Sequence, residues 1–330
     1  MDRNSIAVGA DDNKSNVATT MSALECLRTN TIRLAVVVTL GAVASACYKI
    51  PTVSPVYTRA CAGTLIGSQS APLSDPAIVE ASGIVASHSQ TGIYWVHNDS
   101  GDTARIFAID TTGKTRATYN LTGISATDFE DIAIGPGPVA NVRYLYIGDI
   151  GDNARARSHV SVLRVPEPIV PASPATIELG GIDVLNFNYP NGARNAESLL
   201  VHPRTAEITI IMKRVSSEPI SIYRASGIPE AGSTSALTDV GTLNLPGSIS
   251  NPTGVDISRD GLAIALRTYF NVFVYKVATN QTVESALAAV PCVANAASEN
   301  QGEAIAFHQD GLGFVTLSEG SRQRLNNGDV

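Results

Sequence analysis

From residue 80 onward, apolar and polar positions repeat in one order. Each unit has a small or acidic entry, a short apolar run, a turn, and a second apolar run ending in polar residues. The first is EASGIVASHSQTGIYWVHNDSGD (80–102) and the second FEDIAIGPGPVANVRYLYIGDIGDN (129–153). NAESLLVHPRTAEITIIMKR (195–214), NPTGVDISRDGLAIALRTY (251–269) and QGEAIAFHQDGLGFVTLSEG (301–320) follow. Four to eight apolar residues bounded by turn residues read as buried strands, and no long helical period occurs after residue 60. A third run usually follows: RIFAID (105–110), VSVLRV (160–165), ISIYRA (220–225) and NVFVYKV (271–277). A weaker fourth appears in TRATYNL, IDVLNFNYP and DVGTLNL.

The entry residues Gly83, Asp131, Glu197, Gly254 and Glu303 stand 48, 66, 57 and 49 residues apart. Four short strands every fifty residues or so predict an all-β chain, a single β-propeller of four-stranded antiparallel blades. A β-sandwich does not predict the shared grammar. Five blades are visible, and a sixth would have to come from 166–195 or 226–250. The fifth unit lacks a clear third or fourth strand before Val330. Cys61-Ala62-Gly63-Thr64-Leu65-Ile66 resembles the outer strand Val240–Leu245, so an N-terminal strand is expected to complete the last blade and remove open sheet edges.

In such a blade the entry to the first strand and the exit of the second lie at one end. The entries bring Glu80, Asp128, Glu130, Asp131, Asn195, Glu197, Asn251, Gln301 and Glu303 to that rim. The exits bring Asn98, Asp99, Asp102, Asp149, Asp152, Asn153, Lys213, Arg267, Tyr269 and Glu319. Asp-x-Gly-Asp occurs twice there, at Asp99–Asp102 and Asp149–Asp152, and each glycine permits a tight turn that directs both carboxylates to one side. Hard oxygen donors of this kind suit Ca²⁺, while the same residue types also serve plain turns. Lys213, Arg214 and Arg267 fit an anionic substrate or simple pairing with Glu197 and Glu303.

The chain has 330 residues with 44% apolar, 16% charged and net charge −7, which sets aside a basic nucleic-acid binder and a highly charged disordered chain. No nucleophile elbow, phosphate loop or dinucleotide fingerprint occurs. His97, His202 and His308 lack metal-ligand spacing, and Trp95 reads as blade core. Residues 1–46 read as an N-terminal extension and signal peptide: Arg28 and Arg33 precede the apolar run Leu34–Ala46, and Met21 fits as a start. Ala44-Ser45-Ala46-Cys47 fits two cleavage patterns, one that lipidates Cys47 and one that releases the chain. Either implies export to the cell envelope, with the membrane reached only through the lipid. Residues 47–60 read as a linker and 61–330 as the propeller. With Cys26 and Cys47 set aside, Cys61 and Cys292 form an even pair suited to a disulfide.

Glu80–Ile84, Asn98–Gly101, Asp128–Ala133, Gly148–Asn153, Leu266–Tyr269 and Gln301–Ala306 resemble bacterial exported β-propeller proteins of the SdiA-regulated and NHL-type groups. Phytase-like and phosphotriesterase-like propellers are more distantly similar. That resemblance covers about residues 75–320 and implies Ca²⁺ near the channel mouth in some relatives.

Two function classes share this face. One is a Ca²⁺-dependent phosphoester, ester or lactone hydrolase with Glu130, Asp149, Glu197 and Glu303 as ligands, Asp131 or Asp152 as base and Arg267 on the leaving anion. The other is a monomeric, non-enzymatic propeller presenting Glu80, Asn98, Asp99, Asn153, Lys213 and Glu319 to a small molecule, glycan or protein.

Overall fold

The computed structural model describes residues 53–330, apart from 215–217, 226, 244, 247–250, 321–322, 330 and the side chains of 70 and 71. Cys47 and the expected signal segment lie outside the described residues. The chain divides at Ile50/Pro51, and everything below concerns the second unit. No helix among the described residues is long and apolar enough to cross a membrane.

Five small sheets form a five-bladed propeller. Blade 1 is Ala81–Ala86, Ile93–Asn98, Arg105–Asp110 and Thr115–Leu121; blade 2 is Phe129–Pro136, Arg143–Asp149, Val160–Pro166 and Asp183–Asn188. Blade 3 is Ala196–Val201, Ile208–Met212, Ile220–Ala225 and Thr238–Leu243; blade 4 is Pro252–Ile257, Ala263–Thr268, Val272–Lys276 and Cys292–Ala294. Blade 5 is Gly302–Phe307, Phe314–Ser318 and Arg324–Asp329, completed by Ile66–Pro72. The innermost strands pack in the cyclic order 1-2-3-4-5-1.

The stretches that left room for a sixth blade extend existing ones. Ala175–Leu179 adds to blade 1 beside Thr115–Leu121, and Thr234–Ala236 adds to blade 2 beside Asp183–Asn188, both in parallel. Parallel addition needs a long connection, which these irregular loops supply.

Closure comes from the N-terminal side, as expected, but the strand begins only at the last of residues 61–66. Pro55–Ala62 is a helix: a proline opens it, and Gly63 stops it in the left-handed conformation at φ 66°. The closing strand starts at Ile66, paired with Asp329, and runs to Pro72, paired with Arg324. The last blade also has the third strand that the sequence hides. Arg324-Leu325-Asn326-Asn327-Gly328-Asp329 reads as a polar loop, yet Asn326 is buried with its amide donating to Glu299 at 2.7 Å. A disulfide joins Cys61, at the end of the helix, to Cys292 in the outer strand of blade 4, with Cα atoms 5.0 Å apart.

The core lies between blades. Ile106, Leu145, Ile147 and Trp95 fill the space between blades 1 and 2, and Leu199, Ile210, Val162 and Phe187 that between 2 and 3. Each blade is thus covered on both faces, which is why its inner strands are apolar at nearly every position.

Candidate functional site

All five inner strands share one irregularity at their entry. The register against the second strand slips between Ala81 and Gly83, Phe129 and Asp131, Ala196 and Ser198, Pro252 and Gly254, and Gly302 and Ala304. Each slip leaves one bulged residue: Ser82, Glu130, Glu197, Thr253 and Glu303. A β-bulge re-aims its side chain, and here it does so five times around one end of the ring. The hydroxyls of Ser82 and Thr253 donate to the carbonyls of Glu130 and Gly302 in the next blade, at 2.6 and 2.9 Å. The three glutamates are buried with only 4–5% exposure.

Entry and exit lie at the same end, as expected. The exit N–H groups of Asp99, Gly151, Lys213 and Glu319 donate to the entry carbonyls of Glu80, Asp128, Asn195 and Gln301. Around the bulges gather half-buried Asp99 and Asp128, half-buried Lys213, and Tyr269. Carboxylate oxygens of Asp99, Asp128 and Glu130 lie within 4.8 Å of one another. Lys213 Nζ pairs with Glu197 Oε1, and Gln301 Nε2 donates to Glu303 at 2.9 Å and to Glu319.

The electrostatics follow from few cations, Lys213 and Arg157, among many acids. Burial, then the charges of Glu197, Asp99 and Asp128, push the Glu130 carboxyl up to about 11. Burial, with Glu197 and Glu319 adding to it, pushes Glu303 up to about 9. Glu197, Asp99 and Asp128 are raised as well, each chiefly by burial. Burial alone would lower Lys213, but the Glu197 carboxylate outweighs it and holds the ammonium charged. The mouth therefore keeps protons or takes up cations.

The other candidates are spent elsewhere. Asp149 accepts from Asp128 N–H at 3.1 Å and from Arg157 at 2.7 Å, so its charge is neutralised outside the three-carboxylate group. Asp152 accepts the N–H groups of Ala156 and Arg157, both at 2.9 Å, and caps its own loop. The two Asp-x-Gly-Asp pairs do not converge: Asp99 turns to the mouth, whereas Asp102 binds Asn98 and Arg105. Asn98 is a structural amide that accepts from Val79 and Glu80 N–H. Glu80 and Asn153 are exposed on the rim, and Asn153 accepts from Asn195 at 3.2 Å.

Asp131 and Arg267 need outright correction. Asp131 is fully buried: Oδ1 accepts Ile132 N–H at 2.9 Å, and Oδ2 accepts Leu199 and Val255 N–H at 2.9 and 3.1 Å. It staples blades 2, 3 and 4 together across the axis and meets no solvent. Arg267, 1% exposed, pairs at 2.6 Å with Glu299, 2% exposed, against blade 5. No substrate reaches it.

The bulge was legible in hindsight. The quartets Glu80–Gly83, Asp128–Asp131, Asn195–Ser198, Asn251–Gly254 and Gln301–Ala304 align with the bulged residue third and a small residue fourth. The fourth must be small where the next blade crowds it: a Cβ on Gly254 would lie 2.7 Å from the Glu303 carbonyl oxygen. Asp131 breaks that rule, which marks it as the axial exception. Gly151 is constrained likewise, since a Cβ there would meet Glu130 Oε1 and the Asp128 carboxylate. Strand Arg143–Asp149 runs on into Ile150-Gly151-Asp152, and each residue of that stretch has its own role. Asp149 takes Arg157, Ile150 is core, Gly151 makes room and Asp152 caps.

A cleft of about 400 Å³ lies beside blade 5, lined by Leu73, Asp75, Ile78 and Val79 and by none of the mouth acids. The charges converge at the mouth. Neither protein-family models nor curated proteins match this chain.

Proposed function

We propose that the protein is an exported propeller that binds a hard divalent cation, Ca²⁺ first among them, at the bulge-lined mouth, and presents that mouth to an oxygen-rich ligand such as a glycan or an acidic protein segment. The observation that carries this is the group Asp99, Asp128 and Glu130. Its oxygens fall within 4.8 Å of one another, the span that ligands of one ion with Ca–O distances of about 2.4 Å occupy. Glu197 and Glu303 supply further negative charge, partly offset by Lys213 and, at Asp128, by Arg157. Export is supported by the Cys61–Cys292 bridge, which suits an oxidising compartment. Cys47 is the proposed lipid anchor.

Calorimetric titration of the chelator-stripped protein with Ca²⁺ tests the reading. Saturable binding that Glu130→Gln abolishes supports it. No binding would leave the acids as protonated neighbours and end it.

A hydrolytic version keeps the cation as Lewis acid but changes its protein groups. Asp131, Asp152 and Arg267 drop out. Glu303, held protonated near neutrality with a carboxyl at about 9, becomes the general acid. Phosphoester, ester and lactone turnover that needs both Ca²⁺ and Glu303 would favour it. Calcium binding without turnover leaves the binding module.

A further inference from the structure

The opposite end of the ring carries a different chemistry. There, in blades 1, 3 and 4, the turn after the inner strand is capped by its first residue. Ser87 Oγ accepts from Gln90 N–H at 2.8 Å, His202 Nδ1 from Thr205 N–H at 3.2 Å, and Ser258 Oγ from Ala263 N–H at 3.0 Å. The second turn residue is left for other contacts. In blades 1, 4 and 5 it is His88, Arg259 and Gln309, and all three line one void of about 10 Å³, with Asp256 and His308 in its wall.

Side chains in these turns stitch neighbouring blades. Arg143 Nη1 donates to the Pro203 carbonyl at 3.2 Å, Arg204 Nη1 to the Asp260 carbonyl at 2.5 Å, and Gln309 Nε2 to the Gln90 carbonyl at 2.8 Å. Arg259 holds the corresponding place between blades 4 and 5, yet it makes no hydrogen bond or ion pair among the described residues. His88 Nδ1 is buried and also lacks a partner. Burial, then the charges of Arg259 and Arg143, push its imidazole down to about 4. The nearby Asp256 carboxyl makes no ion pair with Arg259 among the described residues, and burial pushes it up to about 7. Both Asp256 oxygens are held by backbone, Oδ1 by Ile257 N–H and Oδ2 by Phe307 N–H, each at 2.8 Å.

We propose that this end of the ring binds a small oxyanion between His88 and Arg259. One anion oxygen fills the void, which is the size of a single water-like atom, and the remaining oxygens meet the Arg259 guanidinium outside it. A tetrahedral anion such as phosphate and a carboxylate share this chemistry. The site does not depend on the cation reading, because it lies at the other end of the ring and uses none of the mouth acids.

The test follows the His88 imidazole by NMR in metal-free buffer. Inorganic phosphate is titrated into the purified protein against sodium chloride at matched ionic strength. The expected result is a saturable shift of the His88 signals and a rise in the pH at which they titrate. Arg259→Gln, a change at an exposed side chain, should weaken that response about tenfold or more. Arg116→Gln, on the outer strand of blade 1, should leave it intact. Acetate in place of phosphate tells a carboxylate site from a tetrahedral one. A His88 response that chloride reproduces, or one that Arg259→Gln leaves unchanged, overturns the proposal, as does no response to either anion.

Discussion

Glu130→Gln should make the cation-free protein more stable. The glutamate is 4% exposed and its carboxyl is pushed from 4.5 to about 11, first by burial and then by Glu197, Asp99 and Asp128. A group raised on folding gives its full contribution below its unfolded value and loses it as pH climbs toward the folded one. At pH 7 the folded protein holds a proton that the unfolded chain has released. Each pH unit above 4.5 costs folding about 1.4 kcal/mol, so the penalty at pH 7 is about 3 kcal/mol. Glutamine keeps the shape without the proton. Urea unfolding in chelator should therefore favour the variant by about 3 kcal/mol at pH 7 and by less than about 1 kcal/mol at pH 5. Added Ca²⁺ should close the gap and, at about a thousandfold excess over Kd, reverse the order, since there it stabilises only the wild type, by about 4.1 kcal/mol. A variant less stable than wild type at pH 7 in chelator, or an equal gain at both pH values, would refute the electrostatic reasoning.

Three further outcomes follow from groups away from that carboxylate cluster. Asp131→Ala strips the acceptor from three buried N–H groups and should lower stability by about 3 kcal/mol or more in urea unfolding, while Asp131→Asn costs less and leaves calcium titration unchanged. Cys61→Ser releases a bridge across 231 residues and should cost roughly 5 kcal/mol by chain entropy, measured as a fall in the denaturation midpoint that reductant reproduces in the wild type. Arg267→Met alone strands buried Glu299 and should cost about 3–5 kcal/mol in a thermal melt, and adding Glu299→Leu should recover only part of it, because buried Asn326 and Thr316 then lose their acceptor.

The architecture was legible because its cause is local. A strand covered on both faces is apolar throughout, and five such pairs announce five blades. What stayed hidden depended on partners distant in sequence. Arg324–Asp329 looks like a loop until Glu299 and the closing strand supply its hydrogen bonds. Asp131 looks like one more rim acid, because nothing near it in sequence shows that Leu199 and Val255 present their N–H groups to it. The mouth acids were legible as a set but not in their division of labour. Asp99 and Asp149 sit in the same Asp-x-Gly-Asp pattern, and only an arginine eight residues further on, Arg157, decides that Asp149 is neutralised. The orphaned nitrogen of His88 left no trace in a turn that reads as solvated.

The closing strand Ile66–Pro72 has a consequence in time. It is the first of the described strands to be synthesised and the last to find its place, because its partner Arg324–Asp329 is the last of them. Until that partner emerges, blade 5 has no outer edge and the ring stays open, whatever blades 1 to 4 have already formed. Contacts that span so much chain form slowly, since loop closure must precede their reward. Completion of the ring is thus a natural checkpoint: a chain cut short before Arg324–Asp329 leaves Ile66–Pro72 unpaired, an edge open to another molecule. The bridge from Cys61 to Cys292 works on the same interval. By fastening the N-terminal helix to blade 4, it holds the waiting strand beside the gap it will fill.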